Sequence, residues 1–381
     1  MLECGRSDPP RSLSKARKAE DGKQTTWKRQ PQPESAGPKR ACGHLCFALR
    51  PQSRRGGYAR LRTSLPDSGC GMLERSSITI GTRGSRLALA QTEWVADVLR
   101  RAHPYLTVSI RKIVTRGDRQ KKAALPEIGG KGLFTAELEA ALQDWTIDVA
   151  VHSAKDLPTT MPEGLVLVAT PVRQDVRDAL IARSGRRLAD LPEGAVIGTS
   201  SLRRQAQLRA RRPDLRFTVL RGNVDTRIRK VLGNAPCEAT VLAMAGLIRI
   251  GLVDRVTEVL DLDVMLPAAG QGALALQGRA DDQPVRQILL AVQHAPTYAE
   301  VMCERRVIHL LEGGCQAPVG VCARAEGDRL ICRAVVISPE GGRHIRTTSE
   351  GRSDDWTGVA DLVVKDLLRN GAANILHNVR R

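Results

Sequence analysis

From residue 77 onward, short apolar runs alternate with stretches whose apolar positions recur at helical spacing. Residues 78–82 read as a strand. Residues 85–101 read as a helix carrying Leu87, Leu89, Trp94, Val95, Val98 and Leu99 on its apolar side. Residues 107–114 alternate like a strand, a Gly-rich stretch at 129–132 leads into a helix over 134–143, and 147–151 is a buried-type strand. After 174–178 the pattern resumes, with strands at 195–197, 217–220 and near Ala239, and helices at 200–210 and 223–231. It closes around Leu266-Pro-Ala-Ala-Gly-Gln-Gly272. Such alternation predicts an α/β fold: mainly parallel sheets with helices on both faces. Two similar blocks, 77–172 and 178–266, suggest two lobes with a cleft between them. From about Thr297 the texture changes to a helix reaching Glu312, a Gly-Gly-Cys turn, three strands and a closing helix over 355–369. That is a small α+β domain.

Residues 1–75 show neither period. Rich in Arg, Lys, Pro, Ser, Gly and Gln, they cannot bury enough apolar surface to offset their ordering entropy, so a disordered basic tail is expected. They lack the apolar core of a secretory signal. A transit peptide, whose composition is acid-poor, sits badly with their acidic residues, and Met72-Leu-Glu-Arg75 is an alternative start. The formal charge is +18, and the tail accounts for half of it, with 16 Lys/Arg against 7 Asp/Glu. A basic chain suggests nucleic acid as a partner, but aromatic residues make up only 3% and leave few stacking platforms. No nucleic-acid partner is expected. No apolar run is long enough to span a membrane, so no membrane partner is expected either. Nine irregularly spaced cysteines argue for a reducing compartment rather than a disulfide framework. Cys42-Gly-His44-Leu-Cys46 fits no closed tetrahedral spacing, and no metal site is expected.

The candidate chemistry centres on residues 199–227. Thr199-Ser200-Ser201-Leu-Arg203-Arg204-Gln and Leu220-Arg221-Gly222-Asn223-Val-Asp-Thr-Arg227 each follow a short strand. Ser200 or Ser201, and Asn223, then lie at helix N-termini, where free N–H groups favour an anion. The arginines add planar forks that hold carboxylates or phosphates two bonds at a time. Gly81-Thr-Arg83-Gly-Ser85 is either a similar turn or an ordinary capped helix start. Gly129-Gly-Lys131-Gly lacks the ending of a nucleotide P-loop and reads as a mobile, positively charged loop. His152-Ser-Ala-Lys155-Asp156-Leu-Pro158 follows a buried strand at its carboxyl end, where open α/β sheets place ligands. Asp156, a lone acid among arginines, is either the group that binds an N–H and stabilises a developing cation, or a surface residue opening a turn. Cys315, in Glu312-Gly-Gly-Cys-Gln, is a nucleophile, an attachment point or a buried thiol.

Together these segments, with Ala245-Gly-Leu-Ile-Arg249 and Pro267-Ala-Ala-Gly-Gln271-Gly, resemble the porphobilinogen deaminase (hydroxymethylbilane synthase) family from about Ile78 to the C-terminus. The resemblance implies a transferase of haem biosynthesis that condenses four porphobilinogen molecules head to tail, releasing ammonia each time, to give hydroxymethylbilane. It implies a dipyrromethane cofactor joined by a thioether to Cys315. It also implies two periplasmic-binding-protein-like, doubly wound lobes (76–172 with 267–290, and 173–266) and a third α+β domain over 291–381. Asp156 and Lys155 would be catalytic. Arg83, Ser85, Lys155, Thr199, Ser200, Ser201, Arg203, Arg204, Arg221, Gly222, Asn223 and Arg227 would hold the cofactor, and Arg83, Arg249, Gln271 and Asp156 the substrate. A cytoplasmic monomer is expected, with porphobilinogen as its small-molecule partner. Ala269 stands where the family's pattern leads one to expect Val, and the short third domain points to a bacterial-type member. Two rival classes remain: a non-catalytic anion-binding protein, and a nucleic-acid binder whose affinity would fall steeply with salt.

Overall fold

A computed structural model describes residues 75–119, 134–233, 236–311 and 318–380. The basic tail with its Cys/His cluster, the Lys131 loop and the Cys315 turn lie outside the described residues. The chain opens with β1 (Ser77–Arg83), α1 (Arg86–Ala102), β2 (Thr107–Ile113) and the short α2 (Arg116–Arg119). α3 (Ala136–Gln143), β3 (Val149–Ser153) and β4 (Leu165–Ala169) follow. Next come β5 (Asp178–Ala182), β6 (Val196–Gly198), α4 (Leu202–Arg211), β7 (Arg216–Thr218) and α5 (Val224–Leu232). Then β8 (Ala239–Ala243), α6 (Met244–Arg249), β9 (Glu258–Leu260), β10 (Leu274–Arg279) and α7 (Gln283–Leu290). The last part holds α8 (Ala295–Leu310), β11 (Val319–Glu326), β12 (Arg329–Ile337), β13 (His344–Arg352), α9 (Trp356–Arg369) and α10 (Ala372–Arg380).

Two five-stranded sheets repeat one plan: β2-β1-β3-β10-β4 and β7-β6-β8-β5-β9. Their strands are parallel except for one each, β10 in the first and β5 in the second. The sheets are thus mainly parallel, as expected, with one reversed strand in each. Both reversed strands are the ones by which the chain enters a sheet from the other lobe. A crossing that arrives at the carboxyl edge of the receiving sheet can only run back through it. Consequently Asp178, the first residue of β5, pairs with Ala243 at the end of β8. Likewise Leu274 pairs with Ser153 at the end of β3. Both crossings thus deliver side chains to the edges where open α/β sheets bind ligands.

Local chemistry sets the elements. Ser85 caps α1 by accepting from the Ala88 N–H at 3.2 Å. The buried stripe of α1 is Gln91, Thr92, Val95, Ala96 and Leu99, a helical period that packs on β1 and β3. Val95 and Leu99 are fully buried, each worth about 1.5–3 kcal/mol of apolar transfer. Trp94, expected on that face, is instead exposed. It sits one position out of the stripe, so its bulk lies over the solvent side.

The third domain packs its antiparallel sheet β11-β12-β13 against α8 and α9 over a core that includes Val307, Val321, Val336, Val363 and Leu367. The other face of that sheet meets the second lobe: Ala206 of α4 and Leu266 pack with Cys322, Val335 and Ile337. Buried Glu304 on α8 accepts from Arg173, from the Gly270 N–H at 2.6 Å and from the Ala323 N–H at 2.7 Å, tying both lobe crossings to this domain. Ala269 packs against the same core. The sequence pattern stopped at Arg369. α10 follows because Gly371 (φ +91°) ends α9, after which Ala372, Ile375 and Leu376 resume a buried helical period.

Candidate active site at the carboxyl edges of the two sheets

Lys155 and Asp156 sit in a single 3₁₀ turn directly after β3. Beneath them Gln91 of α1 donates to Ser153 Oγ at 3.0 Å, which holds the end of the strand. Asp156 is exposed, and its carboxylate makes no hydrogen bond to a described residue. It lies within electrostatic reach of Lys155 and Arg227. Lys155 donates from Nζ to Gln271 Oε1 at 3.4 Å. Burial pulls its ammonium down to about 8; Asp156 opposes that shift, Arg204 reinforces it, Asp178 opposes it and Arg203 reinforces it. His152, on β3 three residues before Lys155, is buried against Gln277 Oε1 at 3.0 Å, and burial pulls it down to about 4. It is a neutral structural imidazole.

From the second lobe, Ser201 is the N-cap of α4, accepting from the Arg204 N–H at 3.4 Å. Buried Thr199 accepts the Ser201 N–H on Oγ1 at 3.2 Å, and Ser200 is half-buried between them. Arg203 and Arg204 are largely buried, and each is bound along one part of its guanidinium to the buried carboxylate of Asp178. Although burial works against it, those two arginines hold the Asp178 carboxyl well below the usual carboxylate range. Asn223 is the N-cap position of α5 but makes no side-chain cap bond. Arg227 donates from Nε to the Gly222 carbonyl at 2.8 Å, and Lys230 Nζ donates to the Arg221 carbonyl at 3.1 Å. Burial pulls Arg227 down to about 10, with Arg204 and Arg221 pushing the same way and Asp156 opposing them. Arg204, Arg221 and Asp156 thus all lie within electrostatic reach of Arg227. Arg249 donates to the Gly272 carbonyl at 2.7 Å, beside Gln271 in the return crossing. Gln271 is buried and donates to the Val176 carbonyl at 2.7 Å and to Asp178 Oδ1 at 3.2 Å.

Arg83 and Ser85 belong to a neighbouring part of the same edge. Arg83, the last residue of β1, lies within electrostatic reach of His152. Arg83 is paired with Asp118, Nη2 to Oδ1 at 2.7 Å, and its guanidinium lies 4.0 Å from the Phe134 ring centre. Among the described residues neither Arg83 nor Ser85 bonds to the cluster around Lys155. The reading of Asp156 as a lone acid among arginines is therefore corrected: Asp118 engages Arg83, and Asp178 engages Arg203 and Arg204. Sequence reading missed both. Asp178 carried a signal, since a lone Asp opening an otherwise apolar strand, Asp-Ala-Leu-Ile-Ala, is costly to bury unpaired.

The two lobes touch across the cleft. Arg86 donates to the Ile250 carbonyl at 2.8 Å, and α1 packs on α6. No helix among the described residues is long and apolar enough to cross a membrane.

Comparison with known proteins decides the family. Residues 78–287 match the family model "Porphobilinogen deaminase, dipyromethane cofactor binding domain", and residues 298–368 match its C-terminal domain. A porphobilinogen deaminase of Desulforudis audaxviator is 50% identical over 306 residues, 80% of this chain and 99% of that protein. Those of Roseiflexus castenholzii and Oceanobacillus iheyensis are each 46% identical, over 79% and 80% of this chain and 99% and 97% of theirs. The chain belongs to the porphobilinogen deaminase family. With membership come the activity of a hydroxymethylbilane synthase, head-to-tail condensation of porphobilinogen in tetrapyrrole synthesis, and the dipyrromethane cofactor. The donor set fits such a group, because each pyrrole brings carboxylates and the cluster offers guanidinium, ammonium and helix N-terminal N–H groups. The methionine-binding protein MetQ overlays with a TM-score of 0.37 at 14% identity, over 58% of this chain and 92% of that one.

Proposed function

We propose that Asp156 is the catalytic carboxylate of this porphobilinogen deaminase, with Lys155 beside it. Arg203, Arg204, Arg221, Arg227 and Lys155, with Thr199, Ser200, Ser201, Gly222 and Asn223, hold the acetates and propionates of the bound polypyrrole. Arg83 and Ser85 extend that grip in the first lobe, and Arg249 and Gln271 flank the incoming substrate. Cys315 carries the dipyrromethane through a thioether. When bound, that group supplies the pyrrole carbon from which the chain grows. Residues 76–172 with 267–290, then 173–266, then 291–381 are the working domains, in a cytoplasmic monomer.

The observation that carries this reading is the contrast between Asp156 and the other carboxylates at the site. Asp118 and Asp178 are each consumed by arginine, whereas Asp156 is exposed and accepts nothing from a described residue. An ionised carboxylate in that position accepts the pyrrole N–H. It also stabilises the positive charge that develops as the aminomethyl group loses ammonia. Lys155 stays protonated below about pH 8 and holds a carboxylate of the ring. The buried, paired arginines fix the polyacid without reorganising during the step.

Asp156→Asn keeps the shape of the side chain and removes its charge. Turnover of porphobilinogen is expected to fall by about 10²–10³, with an unchanged Tm and an intact mass that still includes the cofactor. Near-wild-type turnover would refute the assignment.

A further inference from the structure

Asp178 is fully buried at the first position of β5, on the edge that carries the candidate site. Arg203 Nη1 donates to its Oδ2 at 2.8 Å, and Arg204 donates from Nε and Nη2 to its Oδ1 at 3.1 and 2.7 Å. Gln271 Nε2 donates to Oδ1 at 3.2 Å and accepts from Lys155 Nζ on Oε1 at 3.4 Å. The carboxylate therefore joins two arginines of the second lobe to the lysine of the first, through a residue of the return crossing. It also uses the guanidinium groups selectively. Arg203 Nη1 is taken by Asp178 and the Leu266 carbonyl (2.6 Å), and Arg204 gives its Nε–Nη2 edge. The Nε and Nη2 of Arg203 and the Nη1 of Arg204 make no hydrogen bond to a described residue, which leaves them for an incoming carboxylate.

We propose that Asp178 is a positioning residue for the acidic pyrrole chain: it clamps Arg203 and Arg204 by one edge, presents their open edges to the ligand, and through Gln271 places Lys155 beside Asp156. The inference rests on the reading that Arg203 and Arg204 hold pyrrole carboxylates. Two buried guanidinium groups on adjacent residues repel, and an anion between them is what keeps both aimed inward. The groups facing Asp178 are Arg203, Arg204, Lys155 and Gln271. Those facing Lys155 are Asp156, Arg204, Asp178 and Arg203, so loss of the Asp178 charge removes one of the two anions that keep Lys155 protonated.

The test compares holoenzymes carrying Asp178→Asn, Arg204→Lys and both changes with the wild type. Cofactor retention is read by intact mass, kcat/KM with porphobilinogen, and the state of Lys155 by the pH midpoint of its acylation in peptide mass spectra. Asp178→Asn is expected to retain cofactor, to lose roughly 10–100-fold in kcat/KM, and to lower the Lys155 midpoint by about one pH unit. In the Arg204→Lys background its further effect on kcat/KM shrinks to roughly threefold or less, because it acts through that arginine. A wild-type Lys155 midpoint with only a lowered Tm, or fully multiplicative losses, overturns the proposal. Should Asp178→Asn not fold, Asp178→Glu keeps the charge and moves it by one methylene. A roughly tenfold loss in kcat/KM with an unshifted midpoint is then expected, and wild-type kcat/KM overturns the proposal. If Arg204→Lys alone keeps wild-type kcat/KM, the carboxylate-binding reading fails and the inference falls with it. If Arg204→Lys is impaired and Asp178→Asn is not, the inference alone falls.

Discussion

Asp156 and His152 lie four residues apart and differ chiefly in what surrounds them. Asp156 faces solvent and cations at the end of β3; His152 is enclosed, and its ring is held neutral by burial. That difference has a consequence for stability. The folded His152 binds its proton only near pH 4, whereas in the unfolded chain it does so near 6.5. Between those values the unfolded state carries more protons, so stability rises with pH and is lost as pH falls through the window. The loss amounts to about 3 kcal/mol at most. Urea unfolding of the wild type and of His152→Gln from pH 4 to 7 should show that slope in the wild type and its loss in the variant; equal slopes would contradict it. Asp178 acts with the same sign in the more acid range below it. Its depressed carboxyl contributes fully above about pH 4, and the contribution is lost only as pH falls toward its lower folded value.

Among the elements, the return crossing between β9 and β10 does most to assemble the site. Its Pro267-Ala-Ala-Gly-Gln-Gly run passes so close to the Lys155 turn that a Cβ on Gly270 would stand 3.0 Å from Ala154 Cβ and 3.2 Å from the Lys155 nitrogen. Gly270 also has φ +71°. Gly270→Ala is expected to cost about 1–3 kcal/mol in backbone strain and to lower kcat by about 10²-fold by shifting Lys155. A change in Tm without loss of kcat would show that the crossing does not position the lysine. Periodicity exposed α1, α4, α5 and most parallel strands to within a few residues, because each buries one face at its own repeat. It did not reveal the reversed β5 and β10. A short apolar strand reads the same in either direction, and only the crossing that feeds it sets its sense. Trp94 was misplaced for a related reason: hydrophobic character was legible, but the exact angle of the stripe was not.

At the scale of the molecule, charge is organised in pairs. Sequence showed the arginines and the helix N-termini that receive anions, since those follow from local motifs. Which acid meets which arginine depends on long-range closure: Asp118 on Arg83 and Asp178 on Arg203 and Arg204 are separated by 35, 25 and 26 residues. That is why Asp156 read as a lone acid, when what sets it apart from Asp118 and Asp178 is that it makes no hydrogen bond to a described residue. Glu304 extends the same logic, drawing Arg173 and the Gly270 and Ala323 N–H groups into one buried node where the lobes meet the third domain. Such a framework is suited to a ligand that gains acidic groups as it lengthens. The intact mass of the purified chain, taken before and shortly after addition of porphobilinogen, tests this most directly. The expected result is an added mass of two pyrrole units at rest and equal further increments on addition of substrate, all absent from Cys315→Ser. A wild-type mass equal to that of the bare polypeptide, unchanged by porphobilinogen, would contradict it.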